Sequence, residues 1–113
     1  MKTIHKHRLD ISSKVNTLSL RDGYKVVRCE YLVPEKAVFL WVEVSLDITL
    51  PMRERQFRVV RSGEPVPDDF GYLDTALDPF DPRAFHVFEV PEAQSVEAKG
   101  AEQGRYGGIS AVA

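Results

Sequence analysis

Residues 37–45, AVFLWVEVS, are apolar at seven of nine positions and rich in β-branched and aromatic side chains. Such a run is too short for a typical helix and carries the residue types that fit a pleated surface. As a strand it sets Phe39 and Trp41 on one face and Val38, Leu40, Val42 and Val44 on the other. A strand apolar on both faces is expected at the centre of a sheet that is covered on both sides. Trp41 is then expected to be the largest anchor of the core, its indole N–H paired.

Working outward, period-two alternation recurs in TIHKHRL (3–9), NTLSL (16–20), YKVVRCEYL (24–32), RQFRVVR (55–61), GYLDTAL (71–77) and AFHVFEV (84–90). Turn-forming pairs punctuate these runs: Asp22-Gly23, Pro34-Glu35, Ser62-Gly63, Pro65-Val66-Pro67, and Asp78-Pro79 with Asp81-Pro82. Proline has no N–H to give a ladder, so these segments read as connections. Residues 46–53, LDITLPMR, fit either a loop or a short strand ended by Pro51. The expected fold is all-β and mainly antiparallel, with six to seven strands in a small barrel or sandwich. It spans residues 1–90. Residues 91–113, rich in Ala, Gly, Glu and Gln, form a C-terminal tail that is flexible or docked.

A chain of 113 residues supports one modest core. The 43% apolar and 28% charged composition is that of a globular domain. Net charge is −2, yet residues 1–36 hold eight Lys/Arg against four acids and the remainder seven against thirteen. No run approaches the roughly 18–20 apolar residues of a membrane span, so no membrane partner is expected and a soluble intracellular protein is the default expectation. The single cysteine, Cys29, excludes an intramolecular disulfide and reads as a buried small hydrophobe beside Val27 and Tyr31.

Candidate chemistry is sparse. His5 and His7, two apart on a strand, share a face; with His86 they are the candidate ligands of a metal-dependent enzyme. The competing reading makes them half-buried rings of an amphipathic strand, and His86, between Phe85 and Val87, a hydrogen-bonded core histidine. Arg55, Arg58 and Arg61, with Phe57 and Tyr72, are candidates for holding a small anionic, nucleotide-like ligand. The acids Glu54 and Glu64 beside them, and the negative chain, weigh against nucleic acid. The carboxylates Asp68, Asp69, Asp74, Asp78 and Asp81 lie in turn-like segments and read as turn closures. No phosphate-cradling glycine loop or nucleophile elbow occurs. No catalytic residue and no cofactor is expected.

The landmarks MKTIHKHRL (1–9), FLWVEV (39–44), ERQFRVV (54–60), GEPVP (63–67), YLDTA (72–76) and FHVFEV (85–90), in this order, resemble a family of small uncharacterised proteins. That family is encoded by tailed phages, prophages and their bacterial hosts, and the resemblance covers about residues 1–90. In its pattern aromatics such as Tyr stand at positions 5 and 7, which implies that the imidazoles are packing substitutions. A Gly-Thr-Gly turn stands where this chain has Arg61-Ser62-Gly63. The resemblance implies a phage-derived accessory protein without catalytic residues. The expected function is non-enzymatic binding of a protein partner, or of a second copy, through a free sheet edge or apolar patch. Proteins that blunt host defences and small virion components both fit that description.

Overall fold

The computed structural model describes residues 1–12 and 15–92. Seven strands follow in order: β1 (Lys2–Leu9), β2 (Asn16–Arg21), β3 (Lys25–Leu32), β4 (Ala37–Ser45), β5 (Met52–Arg61), β6 (Gly71–Asp78) and β7 (Arg83–Glu89). They form two antiparallel sheets, one ordered β1-β4-β3 and the other β2-β5-β7-β6. The sheets pack face to face. The all-β expectation holds, as a sandwich rather than a closed barrel: β3 and β6 approach each other, but among the described residues no ladder joins them. Residues 46–51 are a loop. The tail expected from residue 91 lies, beyond Glu92, outside the described residues.

Connections follow local chemistry. Gly23 and Gly63 turn the chain at φ +84° and +91°, a region costly for side chains with a Cβ. Between β3 and β4 a single 3₁₀ turn, Val33–Glu35, closes on Lys36 at φ 51°, whose N–H bonds Leu32 O at 2.9 Å. At the corner between β1 and β2, Asn16 imitates a ladder: its Oδ1 accepts the Asp10 N–H at 2.8 Å and its Nδ2 donates to Asp10 O at 3.2 Å.

The core lies between the sheets. Leu9, Cys29, Val38, Leu40, Val42 and Val44 come from the three-stranded sheet; Leu20, Phe57, Val59, Ala76, Phe85 and Val87 come from the four-stranded one. Phe57 and Phe85 are fully buried, each contributing about 1.5–3 kcal/mol by removal from water. Tyr31 on β3 stacks on Phe85 across the interface, ring centroids 5.1 Å apart.

Two expectations are corrected here. Trp41 is not the core anchor: it is half-buried on the outer face of β4, its centroid 6.4 Å from that of Phe39. No third layer of described residues covers that face, and Lys6 lies over Phe39 with its Nζ 5.0 Å from the ring centroid. Val27 does not share a face with Cys29, because the β3–β4 register shifts between Val26 and Arg28. The extra residue leaves Val27 half exposed while Val26, Cys29 and Tyr31 point inward.

Candidate functional site

The outer face of the four-stranded sheet carries the most organised polar cluster. Register sets Arg58 beside Phe88 beside Tyr72, and Val60 beside His86 beside Thr75, across β5, β7 and β6. A bulge between Tyr72 and Asp74 makes this arrangement: strict alternation would turn Asp74 outward with Tyr72, whereas the extra residue turns Thr75 outward and Asp74 inward.

His86 is held from both sides. Its Nε2 lies 2.9 Å from Ser62 Oγ in the turn after β5, and its Nδ1 lies 2.9 Å from Thr75 Oγ1. Thr75 Oγ1 is in turn 2.6 Å from the Tyr72 hydroxyl. A neutral imidazole donates from one nitrogen and accepts at the other, so the chain Ser62–His86–Thr75–Tyr72 is directional in either tautomer. A serine hydroxyl on an imidazole is also the geometry of a nucleophile and its base. Here it sits on an open sheet face, and Ser62 and His86 line none of the grooves described below. The network fixes the β5–β6 turn to β7. His86 is thus hydrogen-bonded as expected, but lies on the outer face rather than in the core.

The five candidate ligand residues are not brought together. Phe57 is core. Arg55, on the same inner side of β5, ion-pairs with Glu89 at 2.5 Å and Glu92 at 3.4 Å, its guanidinium 5.9 Å from the Tyr24 ring centroid. The Tyr24 hydroxyl donates to Glu89; burial, then that bond, pushes its pKa up. Arg55 is committed to these partners. Arg58 and Tyr72 lie on the outer face with Phe88 between them, and Arg61 is exposed at the end of β5. One strand's alternation has divided the arginines between two sides.

Nor do the histidines converge. His5 and His7 point from β1 toward the gap between the sheets, ring centroids 6.3 Å apart, while His86 is on the far side of the other sheet. Among the described residues no three His, Cys, Asp or Glu side chains gather as a metal site. His7 Nε2 is buried without a hydrogen-bond partner, beside a cavity of about 90 Å³ lined in part by Ser19, Arg21 and Met52. Burial, and then the neighbouring His5 ring, lowers the His7 pKa.

Of the aspartates expected to close turns, Asp78 does so, whereas Asp74 lies within β6 and faces inward. Asp78 accepts the N–H groups of Phe80 and Asp81 and a bond from Arg83 at 3.1 Å. Burial opposes its ionisation, but these donors outweigh burial and hold the carboxyl below its usual range.

A groove of about 350 Å³ runs along the unclosed seam between β3 and β6, lined by Arg28, Cys29, Glu30, Tyr31, Thr75, Ala76, Leu77 and Pro79. Asp74 stitches the seam directly, its Oδ2 accepting the Cys29 N–H at 2.9 Å. Burial first, and then Asp74, pushes the Cys29 thiol up to about 12. Leu77 is 66% exposed beside this groove and Phe80, in the following turn, 82% exposed. Sequence reading missed Ser62, Thr75 and this seam. Nothing in the local pattern announces a bulge, and the bulge sets them.

Among the described residues no helix is long and apolar enough to cross a membrane. A family model described as a domain of unknown function (DUF7352) matches residues 1–98. No curated protein and no solved structure matches the chain.

Proposed function

The chain belongs to the DUF7352 family, and from that premise we propose that it is a non-enzymatic accessory protein of phage or prophage origin that binds a protein partner in the host cytoplasm. The phage origin rests on the resemblance carried by the landmarks between residues 1 and 90. The binding role rests on one observation, the unclosed seam between β3 and β6 with exposed Leu77 and Phe80 beside it. Sheet edges offer unpaired backbone donors and acceptors, and an extended segment of a partner adds to them as a further strand. The apolar side chains beside the edge supply the desolvated contacts that such an interface needs.

The experiment is affinity capture from bacterial lysate with the wild type, Leu77→Asp, Phe80→Glu, and Ile48→Asp as a remote surface control. The reading expects one partner, retained by the wild type and Ile48→Asp and lost from the two edge variants. Capture of the same proteins by all four chains, or of none, overturns it. Finding the chain in purified particles would make the partner a virion component.

A further inference from the structure

We propose that the outer face of the three-stranded sheet binds single-stranded nucleic acid, with Trp41 as the stacking surface. The proposal does not rest on the seam reading: Arg28 and Glu30 also line the seam groove, but Lys2, Lys6, Arg8, Lys25 and Trp41 do not.

Register builds the face. Trp41 is flanked directly by Lys6 on β1 and Arg28 on β3, and Phe39 by Arg8 and Glu30. One step further along, Glu43 is flanked by Ile4 and Lys25, and Lys2 pairs with Ser45. Five cations, Lys2, Lys6, Arg8, Lys25 and Arg28, thus surround two aromatic rings, against the two carboxylates Glu30 and Glu43, which pair with Arg28 at 2.7 Å and Lys2 at 3.4 Å and leave Lys6, Arg8 and Lys25 in excess. All five cations are exposed. The chain as a whole is at −2, so this face runs against the molecule's own charge.

The aromatic centre has no cover of its own kind. Phe39 is 7% exposed, with Lys6 Nζ 5.0 Å from its ring centroid. Trp41 remains partly open between two cationic side chains. A base stacks on an indole whatever its sequence, while surrounding Lys and Arg track the phosphates. A duplex is not favoured, because its bases are read by elements that enter a groove, and this surface is a sheet face. A protein partner would have to match a net excess of three positive charges around an aromatic centre. An apolar partner or a second copy of the same basic face does not.

Trp41 is the only tryptophan, so its emission reports this face alone. Titration of the full chain with a 20-residue oligothymidylate and a 20-residue oligouridylate, at about 50 mM salt, is expected to quench that emission. Affinity is expected to fall steeply by about 200 mM salt. Lys6→Glu and Arg28→Glu, checked for native circular dichroism, should each weaken binding about tenfold or more; Trp41→Ala, which lacks the emitting ring and is read by the fluorescence anisotropy of a labelled oligonucleotide, should do likewise. Arg58→Glu, on the other sheet, should leave it unchanged. Absence of quenching at low salt, or undiminished binding by both charge-reversed chains, overturns the proposal. So does concentration-dependent dimerisation that shifts Trp41 emission without any oligonucleotide.

Discussion

The Asp74 carboxylate on β6 reaches across to β3 and accepts the Cys29 backbone N–H at 2.9 Å, while its other oxygen accepts the Thr75 N–H at 2.9 Å. A side chain here replaces the ladder that a closed barrel would have. Asp74→Ala strands a part-buried N–H and should cost about 1–3 kcal/mol, seen as a lower urea midpoint. Asp74→Asn keeps one acceptor oxygen and should cost less. Equal midpoints for all three chains would show that the bond carries no stability.

The core is centred on Phe57 and Phe85 and not on the tryptophan. Phe85→Ala removes a fully buried ring that stacks on Tyr31 and should cost about 3–5 kcal/mol. Trp41→Ala, on a half-buried outer face, should cost only about 1–2 kcal/mol. Chemical denaturation of the two variants ranks them, and the reverse order would place the core on the wrong side of β4.

The Cys29 thiol is buried and pushed up to about 12. In the native chain at pH 8 it should react with a thiol reagent far more slowly than after denaturation. Because the folded pKa exceeds that of the unfolded thiol, about 8.5, the associated stability is complete below that value. It is lost as pH rises toward 12. Cys29→Ala should flatten the alkaline side of the stability profile.

His7 has its pKa lowered, first by burial and then by His5. The unfolded imidazole, near 6.5, therefore takes its proton before the folded one. Stability is present above that value and falls as pH drops through the folded pKa. Thermal midpoints at pH 7.5 and 5.0 should differ less for His7→Phe than for the wild type.

Each strand was legible to within a few residues, because a half-buried strand repeats every two positions and proline and glycine mark the breaks. The division of Arg55 from Arg58 also follows from that alternation. What alternation leaves open is which side of a strand is inside, and where it slips by one residue. AVFLWVEVS carries large apolar residues on both sides, Glu43 and Ser45 falling on the side of Trp41, and the packing of the second sheet made Leu40 and Val42 core and left Trp41 to the surface. Single-residue bulges at Val27 and Leu73 then set which side chains meet at the seam and around His86. Net charge likewise averages over faces, so the basic ring around Trp41 appears only when β1 and β3 are laid on either side of β4. Local periodicity depends on neighbours in the chain and is written there; the choice of side, the slip and the pairing of faces come from contacts between residues far apart in it.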